Sequence, residues 1–168
     1  AARAIGVLRD EHRSLAAVLQ AWTDALARAR NHGGAPDPTL MRAIVHYLRE
    51  FPLALHHPKE ETFLFRRLRE RTRELDAELD ELERQHRRDT QWVDELDACV
   101  AALADAGDGE AGAAALEALA AAAGRYADFV WNHLGREEGV VLPAARRHLR
   151  SPKKRVTFGH AHAPFSSM

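Results

Sequence analysis

Apolar side chains recur every three or four residues along most of this chain, and that spacing constrains its fold more than any other feature. Residues three and four apart lie on one face of an α-helix, so the spacing predicts amphipathic helices rather than strands. Four such stretches follow one another along the chain, and two of the three breaks between them, 33–38 and 107–109, are rich in Gly or Pro. The predicted fold is therefore all-α, a four-helix bundle in up-down-up-down order, because the connections are short.

Each predicted helix has its own buried seam. The first seam steps by three and four through Leu8, His12, Leu15, Leu19, Trp22 and Leu26. Pro52 and Pro58 interrupt the second seam and Pro143 interrupts the fourth, so we expect kinks at these positions. Thr39 is expected to cap or open the second helix.

A short segment occurs twice and bears on function. One copy begins at His56 and the other at His133, and each has a glutamate four residues later, Glu60 or Glu137, then a second acid and apolar residues. Residues four apart share a helical face, so each copy presents an imidazole and a carboxylate together. An exposed His–Glu pair would contribute only about 0.2–0.5 kcal/mol. That alternative is disfavoured because both copies lie on an apolar seam.

Two further histidines lie on the other seams, His12 in the first helix and His86 in the third. A buried polar group costs about 1–3 kcal/mol unless it is bonded, and buried carboxylates cost more unless they are protonated or neutralised. A single seam histidine would be interpreted as a satisfied core residue. Histidines on all four seams, two of them with a glutamate one turn away, indicate a metal site.

Imidazole and carboxylate ligands suit iron, manganese or zinc, and a carboxylate can bridge two metals about 3.5–4 Å apart. The predicted ligands of a two-metal site are His12, His56, Glu60, His86, His133 and Glu137. The two glutamates would bridge. The first two histidines would hold one metal and the last two the other, which leaves positions for an oxo or hydroxo bridge and for an exogenous small ligand.

His57 and Glu61 repeat the His–Glu spacing one residue later and compete with the first pair. Aligning the two copies matches His56 to His133, whereas His57 matches Leu134. We therefore interpret His57 as a residue that flanks the ligands or supports them from outside.

Other neighbours are assigned to the surroundings of the metals. Glu61 and Glu138 are interpreted as outer, hydrogen-bonding acids. Tyr126 lies on the same seam as His133, where it either packs in the core or donates a hydrogen bond near the metals. We expect Trp22, Phe63 and Val140 to surround the site with apolar side chains that exclude water.

The segments His56 to Phe65 and His133 to Leu142 resemble the hemerythrin-like, or HHE cation-binding, domain. Glu83-Arg84-Gln85-His86 is similar to the third-helix ligand segment of that family, and Asp10-Glu11-His12 to its first. The resemblance covers about residues 5 to 149. It implies a four-helix bundle with a non-haem diiron centre, two iron ions with an oxo or hydroxo bridge, for which zinc or manganese could substitute.

The chain departs from the oxygen-carrier branch of that family in two places. That branch has a second third-helix histidine four residues after the first, where this chain has Thr90 beside the site. Its fourth-helix acid follows the histidine at five residues, whereas Glu137 follows at four. Four histidines and two glutamates look more like the branch that acts in iron–sulfur repair and nitric-oxide stress.

The resemblance implies a protein that binds or reacts with oxygen, nitric oxide or peroxide in sensing, stress response or iron handling. One alternative is an enzyme on the same site, peroxidase-like or catalase-like, and whether the chain is an enzyme stays open. Another is an iron-storage or iron-donor module. A bundle that binds no metal is the least favoured, because it would bury two glutamates beside four imidazoles.

Composition bounds the remaining possibilities. The formal net charge of −1 argues against a nucleic-acid binder, and no apolar run is long enough to cross a membrane. Cys99 is the only cysteine, so no internal disulfide is expected, which fits a cytoplasmic protein without a signal peptide. We expect a monomer or weak homo-oligomer, with the bundle in residues 1–150 and a tail in 151–168.

Overall fold

The computed structural model describes residues 2–34 and 36–149. Within these residues it contains helices and no strand, so the all-α prediction is confirmed. The predicted tail, 151–168, lies outside the described residues. No helix in the described part of the chain combines the length and the apolar character needed to span a membrane.

The first helical run is a single helix, α1 (Ala2–His32). The second begins with α2 (Pro38–Leu48), capped by Asp37, whose side chain accepts a hydrogen bond from the Thr39 backbone N–H at 2.8 Å. Thr39 is therefore not the cap. Proline fits the first helical position because no intrahelical partner exists there for its missing N–H.

The second run continues without a break but changes its winding. A π-helical segment (Arg49–His56) leads into α3 (His57–Glu60), and a second π-helical segment (Glu61–Phe65) leads into α4 (Arg66–Arg69). The expected disturbance near Pro52 and Pro58 thus takes the form of π-helical winding around a short α-helix. Such segments are rare and often occur at functional sites.

The third run is α5 (Asp76–Ala106), and Gly107 follows it with a φ of 64° that favours glycine. The fourth run begins with α6 (Glu110–Arg136), passes through a π-helical segment (Glu137–Val141) and ends with α7 (Leu142–His148). Pro143 lies just after this π-helical segment, as Pro58 does after the first. The two copies of the His–Glu repeat therefore share their local irregularity.

The runs pack through their apolar seams: α6 contacts α1 and α5, and α5 contacts α2. The buried apolar residues form two clusters. The larger cluster includes Leu15, Leu19, Trp22, Leu48, Val93, Leu119, Val130 and Leu134. The smaller cluster includes Ile5, Leu8, Leu64, Phe65, Leu82, Val141 and Leu142.

Every run contributes buried side chains to both clusters, and its predicted ligands lie between these two sets of side chains. In α1, for example, His12 lies between Leu8 of the smaller cluster and Leu15 of the larger one. Burying each large aliphatic side chain stabilises the fold by about 1.5–3 kcal/mol. The two apolar clusters thus support a buried polar layer between them.

Candidate metal centre

All six predicted ligands converge in this polar layer. His12, His56, Glu60, His86, His133 and Glu137 are between 0 and 6% exposed. Two groups of four side chains each place one possible ligand atom per residue within 4.8 Å of the others. One group joins His12 and His56 to both glutamates, and the other joins His86 and His133 to the same glutamates.

The two carboxylates reach both halves of the layer. Glu137 points Oε2 at His12 Nε2, 3.2 Å away, and Oε1 at His133 Nε2, 3.4 Å away. Glu60 has Oε1 at 3.5 Å from His12 Nε2, while its Oε2 lies 3.5 Å from His56 Nε2 and 3.7 Å from His86 Nε2. Glu137 therefore offers one oxygen to each pair of histidines, and Glu60 reaches both pairs through Oε2.

The four histidines are all held from outside by the other ring nitrogen. Nδ1 of His12 faces Glu138 at 3.0 Å and Nδ1 of His56 faces Glu11 at 2.9 Å. In the other half of the layer, Nδ1 faces an acceptor oxygen at 2.8 Å in the pair His86–Glu61 and at 2.9 Å in the pair His133–Gln85. An acceptor at Nδ1 fixes the N–H there and leaves the lone pair of a neutral ring on Nε2, which points inward.

These outer contacts link the four runs in a closed ring. The first run supplies Glu11 to a histidine of the second, and the second supplies Glu61 to the third. The third supplies Gln85 to the fourth, and the fourth returns Glu138 to the first. Each acceptor is the chain neighbour of an inner ligand, so each run both contributes a ligand and orients one on another run.

Three of the acceptors are themselves held in place. Arg9 Nε donates to Glu138 at 2.9 Å, and Lys59 pairs with Glu11. The side-chain amide of Gln85 donates to Glu81 at 2.9 Å, which directs its oxygen toward the histidine. This outer layer fixes the ring orientations before any ion binds.

The charges of the layer are arranged around a cation. Burial alone would lower the pKa of His12, but the carboxylates of Glu137 and Glu60 outweigh it and raise that pKa to about 10. Burial would raise the pKa of Glu137, yet His133 and His12 hold it well below its usual value. Burial and the neighbouring Glu137 raise the pKa of Glu60 well above its usual value. When no metal is bound, a protonated His12 therefore supplies the positive charge that the two buried carboxylates attract.

Six buried atoms of the layer make no hydrogen bond: Nε2 of His12 and of His56 and all four carboxylate oxygens of Glu60 and Glu137. Their contacts with one another are ion-pair distances of 3.2 Å or more. Buried polar atoms are nearly always paired in native proteins. The unpaired atoms here are nitrogen and oxygen donors suited to a transition metal. The donor set therefore fits metal ions, and the His/Glu groups could hold them.

His57 is buried beside the predicted ligands. Its ring stacks on that of His86 with centroids 4.0 Å apart. Burial and the neighbouring His86 and His133 lower its pKa well below the usual value.

Next to His57 lies a buried acid, Asp89, with Oδ2 at 3.7 Å from His57 Nε2. Burial raises the pKa of Asp89 to about 6, against the opposing effect of Tyr126. Tyr126 is fully buried in the larger cluster, with its hydroxyl toward Asp89. The tyrosine therefore packs in the core on the side of Asp89.

Three expectations about the surroundings are wrong. Thr90 is exposed, because Asp89, three residues after His86, occupies the inward face of α5. Phe63 and Val140 are also exposed, at 62% and 42%. Each lies in a π-helical segment, whose wider turn carries the following residue inward in its place.

The aromatic wall is built from other residues. Phe51 stacks on His56, Phe65 on His86 and Phe129 on His133, with ring centroids 5.7–6.4 Å apart. Trp22 lies in the larger cluster, where its Nε1 donates to Met41 Sδ at 3.1 Å. The wall therefore comes from three phenylalanines, each against a different histidine.

The sequence interpretation missed Glu11, Gln85 and Asp89. Two of them carried a usable signal, because Glu11 and Gln85 directly precede a predicted ligand in the chain. A polar residue beside each ligand is what an outer acceptor on a neighbouring helix requires. Asp89 gave no such signal beyond its position three residues after His86.

The fold and the layer define a class: helical-bundle proteins that carry a buried centre of histidine and glutamate. The family model of the hemerythrin HHE cation-binding domain matches residues 3–145. The chain therefore belongs to the hemerythrin HHE cation-binding family, and cation binding is the function that the family indicates. Searches with the chain found no matching curated protein and no matching solved structure.

Proposed function

We propose that this chain is a diiron protein that binds or reacts with a small ligand, oxygen, nitric oxide or peroxide, in sensing, stress response or iron handling. His12 and His56 would hold one iron, His86 and His133 the other, and Glu60 and Glu137 would be shared. Bound iron supplies redox chemistry and open coordination positions.

One observation carries the proposal. Four inward Nε2 atoms, each fixed by an acceptor on Nδ1, face two buried glutamates whose oxygens make no hydrogen bond. A layer of this kind costs free energy in the absence of a cation. Sharing the two carboxylates between two ions gives every one of these atoms a partner.

The protein residues would set the reactivity of the centre. Three phenylalanine rings cover the histidines and exclude water from that side. Glu138 and Glu11 would accept hydrogen bonds from the Nδ1–H groups of His12 and His56 and so increase the electron donation of these two imidazoles. The imidazoles of the opposite half are oriented in the same way, by Glu61 and Gln85.

The proposal is tested by loading metal-free protein with ferrous iron without air and then adding nitric oxide, oxygen or peroxide separately. A stable adduct with unchanged iron content would support a carrier or sensor, and sustained consumption of peroxide an enzyme. Glu60→Ala and Glu137→Ala should each lose both irons, because each removes a shared ligand. Retention of both irons in either variant would refute the bridging assignment.

We also propose the up-down-up-down order for the four runs and a bundle domain that ends near residue 150. The order in which the runs meet the two apolar clusters supports the topology. The first and third runs go from the smaller cluster to the larger, and the second and fourth go from the larger to the smaller.

A further inference from the structure

A path of aromatic rings leads away from the polar layer at His133. The Phe129 ring stacks on that of His133 with centroids 6.4 Å apart, and on that of Tyr126 with centroids 6.3 Å apart. The half-buried Trp92 ring meets Phe129 at 5.8 Å and continues the path toward the surface. Phe129 thus connects a predicted metal ligand with two oxidisable side chains, a tyrosine and a tryptophan.

The polar layer has little room for an organic electron donor. The six predicted ligands are between 0 and 6% exposed. The enclosed cavity beside them has a volume of about 10 Å³, which holds about one water-sized group. Because an organic donor is too large for this space, its electrons would have to reach the layer through side chains.

Tyr126 is the oxidisable residue of this path that faces a proton acceptor. Burial, and then the carboxylate of Asp89, hold the pKa of Tyr126 well above its usual value, so the phenol keeps its proton in the resting protein. Burial raises the pKa of Asp89 only to about 6, so this acid is mostly ionised at neutral pH. Within the described chain its Oδ1 makes no hydrogen bond. A phenol gives up its proton when it loses an electron, and Asp89 is placed to accept that proton.

Trp92 is less suited to hold a radical. Its indole Nε1 makes no hydrogen bond within residues 2–34 and 36–149, so its proton has no acceptor there. The guanidinium of Arg88 lies over the ring, 5.4 Å from the centroid, and this charge disfavours a second positive charge on the indole. Trp92 is therefore a point of electron entry rather than the place where the radical rests.

The other half of the layer has a similar path without a free proton acceptor. Tyr47 stacks on Phe51 at 5.5 Å, and Phe51 stacks on His56 at 5.8 Å. Burial and the charge of Glu11 raise the pKa of Tyr47. Glu11, however, faces Nδ1 of His56 with one oxygen and pairs with a lysine ammonium through the other. Tyr47 is thus a matched control for Tyr126, since the chain has only these two tyrosines.

We propose that Tyr126 relays single electrons from the surface to the metal layer, with Asp89 as its proton acceptor. This inference rests on the proposed diiron function, with hydrogen peroxide as the oxidant. In each turn Tyr126 gives one electron to the oxidised centre through Phe129. Its O–H bond breaks as the proton passes to Asp89, which leaves a neutral tyrosyl radical.

A one-electron donor of the ascorbate class closes the cycle. It returns an electron to the radical through Trp92 and releases its own proton to the solvent, while the proton on Asp89 returns to Tyr126. Hydrogen peroxide takes two electrons from the ferric pair and two protons from the solvent, its O–O bond breaks, and two waters form. Two turns of the relay return these two electrons.

The test mixes the iron-loaded, air-oxidised full chain with hydrogen peroxide in the absence of a donor, freezes it and records the electron paramagnetic resonance spectrum. The wild type should show an organic radical whose hyperfine splitting collapses when the protein contains ring-deuterated tyrosine, and added ascorbate should remove the signal. Tyr126→Phe should lose the signal, and Tyr47→Phe should retain it. Asp89→Asn should lose most of it, because the proton then has no charged acceptor.

The outcomes separate the relay from the diiron proposal. A tyrosyl signal in Tyr126→Phe, its loss in Tyr47→Phe, or no tyrosyl signal from a wild type that holds two irons would overturn the relay and leave the diiron proposal standing. An undiminished signal in Asp89→Asn would overturn the role of Asp89. A wild type that binds no iron pair would overturn both proposals. If Tyr126→Phe fails to fold or to load iron, Tyr47→Phe decides, because Tyr126 is then the only source of a tyrosyl signal.

Discussion

Replacing Glu60 with glutamine should stabilise the protein when no metal is bound. Neither oxygen of Glu60 has a hydrogen-bond partner, and burial beside Glu137 raises its pKa, so the ionised form is disfavoured there. Glutamine keeps the shape, removes the charge and can donate to Glu137. A buried polar group without a partner costs about 1–3 kcal/mol. We therefore expect the free energy of unfolding of metal-free Glu60→Gln to exceed that of the wild type by about 1–3 kcal/mol.

Iron should reverse this order. A ligand that binds only the folded state adds RT ln(1 + [L]/Kd), which is about 4 kcal/mol at a free concentration 1,000 times the Kd. The wild type should gain this stabilisation, and Glu60→Gln should gain little of it because one shared carboxylate is lost. Glu60→Gln should therefore have the larger free energy of unfolding without metal, and the wild type should have the larger one with iron bound.

Glu137→Gln is the matched variant. His133 and His12 hold the pKa of Glu137 low, so its charge is favourable and its loss should destabilise the metal-free protein. Urea unfolding followed by circular dichroism measures all the free energies, with His46→Gln as the exposed control. If Glu60→Gln destabilises the metal-free protein, or if iron stabilises it as much as the wild type, the reasoning is refuted.

Three further outcomes are expected. Gln85→Leu removes the acceptor of His133 Nδ1 and should weaken iron binding about 10–100-fold in competition with a chelator; unchanged affinity would contradict the ring of outer contacts. Burial and His133 lower the pKa of His86 to about 3, so its neutral form stabilises the metal-free fold above about pH 6.5 and that contribution is lost as the pH falls. The free energy of unfolding should drop by about 1.4 kcal/mol per pH unit from this group alone, and metal-free His86→Gln should show a shallower slope. Thr90→His should leave the iron content and the nitric oxide stoichiometry unchanged because Thr90 is exposed; a changed stoichiometry would mean that this side chain reaches the metals.

The helical fold could be predicted from the sequence because its signal is local. A step of three or four residues reports which face of a helix is buried. The same step placed His12 and His86 inside, although their neighbours in space lie on other runs. The two copies of the His–Glu segment added the spacing that brings an imidazole and a carboxylate to one face.

The errors arise where the helix departs from regular winding. In the π-helical segments an extra residue per turn changes the face of everything that follows, which explains why Phe65 and Leu142 lie inside while Phe63 and Val140 lie outside. His57 is buried next to His56 at the junction of such a segment with α3.

The outer contacts could not be predicted for a different reason. Which histidine donates a hydrogen bond to Glu11 or to Gln85 depends on the order in which the four runs pack around the layer. A single sequence does not contain that order. The sequence showed that polar residues flank the ligands, but not that they serve the histidine of the next run. The ring is a property of the assembled bundle.

The most direct test of the diiron proposal is the metal content of the full chain purified without added metal, together with its ultraviolet–visible spectrum in air. We predict about two irons per chain and the absorption of a bridged ferric pair, both lost in Glu137→Ala. A chain that holds no metal, or a single zinc ion with no absorption in the visible range, would contradict the proposal.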